Sequence, residues 1–322
     1  TYAMFEHLER SGAQQVDARM LAVARLMDIL LGDWDRDAEQ WLWRRIAQRG
    51  RTIWTPLPED RDQAFCLFDG IIPSVVERVV LPLNGYDNPF PNITSLTWTG
   101  RHLDRRLLSS LTRSTWDSLA AMIVGKLDDE VIARAVSRLP STWQENIAPR
   151  LFAHIRQRRS QLHALAAEYG RLLNVCVDVH GSMDDENVTV LLDADGSVVV
   201  NLTRGMHATT FHRRFVPEET REIRIYTHDG NDTVRVTGVC DESIDVRVIG
   251  GPGDDVLLDD SFVHGYFLDI TPIPRAEYCT AFYDDDEGSL VALGPGATFD
   301  GRETRPAETA ADRFEPLHEE RG

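Results

Sequence analysis

The chain has 322 residues with 42% hydrophobic and 27% charged residues, a composition typical of a globular protein of about two domains. A net charge of −18 argues against binding to nucleic acid, whose backbone is bound by basic patches. No apolar run reaches the roughly 18 residues that predict a membrane-spanning helix. Lys126 is the only lysine, so arginine carries almost all of the positive charge. The spacing of the four cysteines (Cys66, Cys176, Cys240 and Cys279) supports neither a zinc site nor a disulfide framework.

The first half of the chain has the periodicity of helices. Apolar residues at helical spacing predict a helix over 18–31 that ends at Gly32, and two short strands are expected at 41–46 and 52–54. A connector rich in Pro and Asn follows over 82–92. Further helices are predicted at 104–110, 114–124, 128–139 and 142–173. We expect the basic face of the last one, with Arg156, Arg158 and Arg159, to be solvated.

From Asn174 onward the pattern changes to a period of two, which is typical of strands. Strands are predicted at 175–179, 188–192, 198–202, 222–226, 233–236, 245–249 and 256–258. The sequence therefore predicts an α+β chain with a mainly helical domain over 1–172 and an all-β sandwich or roll over 173–298. The segment 299–322, rich in Glu, Thr, Arg and Pro, is expected to be a disordered tail.

Two acidic clusters with a carboxamide between them are the main chemical feature of the helical half. The first contains Asp33, Asp35 and Gln40, and the second contains Asp60 and Asp62. Phosphoryl transfer uses such groups, because one carboxylate accepts a hydroxyl proton while an amide and a carboxylate hold magnesium. The alternative is structural: Gly32 to Arg36 could be a helix end with a surface Asp–Arg pair.

The stretches Gly32-Asp33-Trp34-Asp35-Arg36 to Gln40-Trp41-Leu42-Trp43 and Asp60-Arg61-Asp62-Gln63-Ala64-Phe65 resemble the C-lobe of the spore-coat-protein-H type of atypical kinases. The resemblance covers roughly residues 15–172 and implies a kinase-like C-lobe that uses Mg²⁺ and ATP. It implies that Asp35 is the catalytic base, that Gln40 replaces a magnesium-binding Asn, and that Asp60, with Asp62, supplies the metal carboxylate. Asp33 stands where the family usually has Asn.

The resemblance also shows what the chain lacks. No glycine-rich loop precedes Asp35, and Lys126 lies downstream of the position that a phosphate-binding lysine would take. We therefore expect the catalytic-loop half of a kinase, which needs an N-lobe or other domains upstream of Thr1, or an inactive pseudokinase.

Two Gly-Asp segments in the second half resemble each other. Gly250 to Leu258 matches the nonapeptide of calcium-binding β-rolls, and His228 to Arg235 keeps its Gly-x-Asp core. The two predict equivalent turns on successive coils or layers, with Asp232 and Asp255 as Ca²⁺ ligands or as caps of their own turns. The alternative function is thus a non-catalytic calcium- or partner-binding β module on a degenerate kinase scaffold. The pairing of the two halves resembles parts of large bacterial envelope proteins, so an extracytoplasmic location is expected, with the cytoplasm as the alternative.

Overall fold

The computed structural model describes residues 1–67, 85–86, 92–204, 208–240, 244–263, 279–284 and 288–301. The expected mixture of helices and strands is confirmed, whereas a kinase-like C-lobe remains a prediction. By contacts, the chain divides into two compact units. The first contains residues 1–2, 16–47 and 53–173, and the second contains 3–15, 48–52 and 174–322. No helix among the described residues is long and apolar enough to span a membrane.

The helices are α1 (Tyr2–Arg10), α2 (Ala18–Leu31), α3 (Ile93–Leu96), α4 (Arg101–Leu107), α5 (Arg113–Lys126), α6 (Asp129–Val136), α7 (Ser141–Gln144) and α8 (Ala148–Asn174). A short 3-10 helix spans Ala38–Gln40. The predicted helix over 142–173 is thus interrupted between α7 and α8. The connector predicted over 82–92 falls mostly outside the described residues, of which only 85, 86 and 92 belong to it.

Side-chain caps explain where the main helices of the first unit begin. Asp17 accepts the backbone N–H of Met20 at the start of α2, and Asp128 accepts that of Val131 at the start of α6. Helix α2 is buried along Leu21, Ala22, Leu26, Ile29 and Leu30. Because α2 is buried on several sides, its C-terminal end is held in place, and the loop that follows starts from a rigid element.

The strands that follow α2 form a hairpin. Strands β2 (Trp41–Gln48) and β3 (Arg51–Pro58) pair in a sheet of order β1–β3–β2, where β1 is Gln14–Val16. The turn between them uses left-handed backbone at Arg49 and Gly50. Both strands are longer than the sequence predicts. The hairpin joins the end of one acidic cluster to the start of the other.

The second unit contains two sheets, and its strands alternate between them. The first sheet, in spatial order, contains β14 (Ala297–Asp300), β12 (Thr280–Tyr283), β10 (Asp245–Ile249), β8 (Glu222–Tyr226) and β4 (Cys176–His180). The second contains β13 (Leu290–Ala292), β11 (Val256–Val263), β9 (Thr233–Cys240), β5 (Glu186–Leu192), β6 (Val198–Arg204) and β7 (Ala208–Phe215). All described pairs in the first sheet are parallel, and in the second only β6 pairs antiparallel to its neighbours.

This alternation makes the second unit a parallel two-sheet solenoid with a hairpin, β6–β7, at one edge. The core lies between the sheets, and every second residue of a strand points into it, as in Val188, Val190 and Leu192 of β5. Residue 187 pairs with 233, and 233 pairs with 256, so the turns before these strands lie on adjacent coils. The tail predicted from residue 299 begins within β14, and the residues after Gly301 lie outside the described part.

One disulfide, between Cys240 and Cys279, joins the end of β9 to the residue before β12. The sequence did not indicate this pair, because the two cysteines are 39 residues apart and only the stacking of coils brings them together. Cys66 and Cys176 lie outside this disulfide and are half-buried.

Candidate functional site

The first acidic loop starts at the end of α2, where Gly32 adopts a left-handed conformation (φ 72°). A β-carbon at this position would lie 2.7 Å from Cδ2 of Tyr86, so only glycine fits. The second acidic loop is tied to the same point, because Phe65 donates its backbone N–H to the carbonyl of Leu31 at 3.0 Å. The two clusters that were separate in the sequence therefore meet at the end of one helix.

A buried carboxylate, Asp28, lies beneath both loops. Its Oδ2 lies 3.0 Å from Nη1 of Arg25 and 3.3 Å from Nε of Arg36, and its Oδ1 lies 2.7 Å from Nη1 of Arg61. The contacts of Asp28 with Arg36 and Arg61 are ion pairs without hydrogen-bond geometry. Since Asp28 is only 1% exposed, these pairs are far less screened than surface pairs.

Arg36 connects the first loop to the second. Its Nη2 lies 2.5 Å from Oδ2 of Asp33, and its Nη1 donates to the backbone carbonyls of Gln40 and Glu59. Glu59 in turn donates its N–H to the carbonyl of Gln40 at 3.0 Å. The structure therefore brings Gln40 to the residue that precedes Asp60.

A second buried ion pair fixes the other side of the network. Arg25 binds Asp104 through Nε, at 3.0 and 2.9 Å from the two carboxylate oxygens, and Tyr169 donates its hydroxyl to the same carboxylate. Burial raises the pKa of Asp104, while the charge of Arg25 and the Tyr169 hydrogen bond lower it. Three carboxylates (Asp28, Asp33 and Asp104) thus face three guanidinium groups (Arg25, Arg36 and Arg61), and the network is balanced in charge.

Asp35, the predicted catalytic base, is half-buried and lies outside this network. Burial is the main effect that raises its pKa above the ordinary carboxyl value. The negative charges of Asp37 and Asp62 raise it next, and that of Asp60 adds a smaller effect against the opposing charge of Arg36. The structure therefore places Asp35 within electrostatic reach of both acids predicted in the second cluster.

Asp60 and Asp62, the predicted metal carboxylates, are exposed. Asp60 has left-handed backbone (φ 45°), and its Oδ1 accepts the N–H of Asp62 at 3.2 Å, which closes a tight turn. Gln63 donates its side-chain amide to Oδ2 of Asp62 at 3.1 Å. Both carboxyl groups are thus accessible to solvent.

Asp33 differs from its acidic neighbours because it is buried. Burial raises its pKa to about 6, the charge of Arg36 lowers it, and the charge of Asp28 raises it. Its side chain is thus used to hold Arg36.

The expectation of a solvated basic face on the last long helix is wrong for one residue. Arg158 is 1% exposed and donates to the carbonyls of Ile29 and Tyr86, at 3.1 and 3.2 Å. Its guanidinium also lies 4.3 Å from the centre of the Tyr86 ring. Arg158 therefore holds the carbonyl end of α2, the point from which the first acidic loop starts.

Sequence reasoning missed Asp28, Arg36 and Arg61 as parts of the site. A signal was present, because the tripeptide Asp-Arg-Asp occurs in both clusters, at 35–37 and at 60–62. In each copy the central arginine contacts Asp28, while the flanking carboxylates remain half-buried or exposed.

The carboxylates predicted as calcium ligands cap neighbouring coils of the solenoid. Oδ1 of Asp232 accepts the backbone N–H of Glu186, and Oδ1 of Asp255 accepts that of Asp232, both at 2.8 Å. Asp255 in turn donates its N–H to the hydroxyl of Ser289 at 2.9 Å. Both aspartates are 1% exposed, and their hydrogen bonds link neighbouring coils along one corner of the solenoid.

The part of the chain that the structure describes contains no group of three or more His, Cys, Asp or Glu side chains arranged to hold a metal ion. No protein-family model, curated protein or solved structure matches the chain.

Proposed function

We propose that the two acidic loops form the catalytic-loop half of a phosphotransferase that acts with Mg²⁺ and ATP. The observation that carries the proposal is the position of Asp35, a half-buried carboxylate whose pKa is raised by burial and by the charges of the second loop. Holding like charges together costs free energy, and such arrangements are concentrated at functional sites.

In this proposal Asp35 accepts the proton of the phosphoacceptor hydroxyl. A general base works best when its pKa approaches the working pH, so the upward shift at Asp35 favours this role over that of a surface carboxylate. Asp60, Asp62 and the carboxamide of Gln40 would hold Mg²⁺, which prefers oxygen ligands. Because Mg²⁺ in nucleotide sites uses one or two carboxylates together with phosphate oxygens and water, a complete protein cage is not required.

Mg²⁺–ATP binding, measured by calorimetry on the full chain, tests the metal site, and transfer of the γ-phosphoryl group in the presence of an N-lobe tests the catalytic base. Asp60→Asn should weaken Mg²⁺-dependent ATP binding by about tenfold or more, because the metal loses a carboxylate while Asn still tolerates left-handed backbone. Asp35→Asn should keep binding and lose transfer by about 100-fold or more, the usual contribution of a general base.

The matched control is Asp117→Asn, which removes the same charge from an exposed position on α5. It should bind and transfer as the wild type does. A wild-type chain that binds no Mg²⁺–ATP at millimolar concentration would contradict the proposal.

The rival proposal is a non-catalytic module that binds Ca²⁺ or a partner through the solenoid turns. Asp232 and Asp255 each cap a neighbouring coil with a hydrogen bond that needs no cation. A rise in melting temperature with millimolar Ca²⁺ that disappears in Asp255→Asn would favour the module over the phosphotransferase.

A further inference from the structure

The two Asp-Arg-Asp tripeptides use their residues in the same way. Arg36 is fully buried and Arg61 is 29% exposed, and both point toward Asp28. The aspartates on either side stay half-buried at 35 and 37 and exposed at 60 and 62. Each loop therefore places its positive charge inward and its negative charges outward.

The contacts of each arginine explain how the loops are held. Arg36 contacts Asp28 and Asp33 and also bridges the carbonyls of Gln40 and Glu59. Arg61 forms an ion pair with Oδ1 of Asp28 at 2.7 Å. Since Arg36 occupies the other oxygen, one buried carboxylate joins the two loops.

These ion pairs oppose the repulsion between the two loops. The carboxylates at 35, 37, 60 and 62 place like charges on the two loops, and these charges repel one another. The backbone bonds that link the second loop to the first, Glu59 N–H to Gln40 and Phe65 N–H to Leu31, lie on either side of the acidic turn and not within it. Arg61 is thus the side chain that ties the turn itself to the core.

We propose that Asp28 is a positioning residue that, through Arg36 and Arg61, holds the two acidic tripeptides together so that Asp60 and Asp62 can bind one divalent cation beside Asp35. This inference rests on the proposed function for its cation, but the holding of the loops is a property of the free chain. Hydrogen exchange therefore tests whether the loops are held together, and Mn²⁺ binding tests whether they bind a cation.

The first measurement is hydrogen exchange of the backbone amides of Ala64 and Phe65, which donate to Arg61 and Leu31. Arg61→Gln should speed their exchange by about tenfold or more, because local opening follows the loss of the contact that holds the loop. Amides of α5 and of the solenoid should not change. Unchanged exchange at both amides would overturn the inference.

The second measurement is Mn²⁺ binding, with Mn²⁺ as a probe for Mg²⁺, followed by electron paramagnetic resonance. Arg61→Gln should weaken binding by about 10- to 100-fold, the usual effect of losing a group that orients metal ligands. Arg61→Lys keeps the charge and should recover part of the affinity, which a loss of folding would not explain. Affinity equal to wild type in Arg61→Gln would overturn the positioning role.

Asp28→Asn is the more severe variant, because it leaves three guanidinium groups with a neutral partner. If it folds, it should show both effects at once. The matched control is Arg134→Gln, which removes an exposed pair with Glu130 and should change neither exchange nor affinity. If the wild type bound no Mn²⁺ while exchange changed as expected, the proposed function would fail and the holding of the loops by Asp28 would stand.

Discussion

We predict that the buried carboxyl group of Asp232, in the solenoid, makes the free energy of unfolding depend on pH. It is 1% exposed, and burial is the largest of the effects that raise its pKa to about 8. The charges of Asp255 and Glu186 raise it too, whereas the N–H of Glu186 and the hydroxyl of Thr227 lower it. In the unfolded chain the same carboxyl titrates near its ordinary value of about 3.9.

The direction of the pH effect follows from these two values. Since the pKa of Asp232 is higher in the folded chain than in the unfolded chain, its neutral form stabilises the fold. This contribution is fully present below about pH 4 and is lost as the pH rises through about 8. One unit of pKa shift corresponds to about 1.4 kcal/mol. After a discount for relaxation around a buried charge, we expect the unfolding free energy of the second unit to fall by roughly 3 kcal/mol between pH 5 and pH 8 from this residue.

Asp232→Asn tests this value, because the amide keeps an oxygen that can accept the N–H of Glu186 and no longer titrates. Urea unfolding followed by circular dichroism at pH 5 and pH 8 should show a smaller loss of stability in the variant. The variant should therefore be more stable than wild type at pH 8. Asp229→Asn, at an exposed position of the same turn, should behave as wild type. An Asp232→Asn chain with the pH dependence of wild type would refute the reasoning.

Two further predictions concern the solenoid. Gly253→Ala should destabilise it by about 3 kcal/mol or more, because the new β-carbon would lie 1.8 Å from the carbonyl oxygen of Gly230. The control is Gly50→Ala, whose β-carbon would have nothing within 4 Å and which should cost only about 1–2 kcal/mol of backbone strain. Urea unfolding of both variants checks this prediction, and equal losses of stability would contradict it. Reduction of the Cys240–Cys279 disulfide should lower the unfolding free energy by about 4 kcal/mol for a loop of this length. A melting temperature that is the same with and without reductant would contradict that expectation.

The local signals in the sequence predicted much of the first unit. Helix α2 matches its predicted bounds, because its cap at Asp17 and its stop at Gly32 are the residues directly before and after it. The hairpin β2–β3 was placed correctly but too short. The first strand, β1, was missed because its three residues carry no pattern of their own and are set by pairing with β3.

Non-local pairing explains what the sequence could not show. The period of two predicted most strands of the solenoid, but not that β9 pairs in parallel with β5 and β11. Parallel pairs join residues far apart in the chain, so no turn signal reveals them.

The same limit applies to the candidate site. Asp35, Asp60 and Asp62 could be singled out by type and spacing. Asp28 looked like one polar residue in an apolar helix, since its role depends on arginines 8 and 33 residues further along the chain, at positions 36 and 61. Burial of a charge is decided by such partners, as Arg158 also shows.

The central claim is that the acidic loops bind a divalent cation together with a nucleotide. The most direct measurement is Mn²⁺ binding in the presence of ATP, followed by electron paramagnetic resonance, for the wild type and for the double variant Asp60→Asn/Asp62→Asn. We predict one Mn²⁺–ATP site in the wild type that is lost in the double variant and kept in Asp117→Asn. No Mn²⁺–ATP binding in the wild type, or equal binding in the double variant, would contradict the claim.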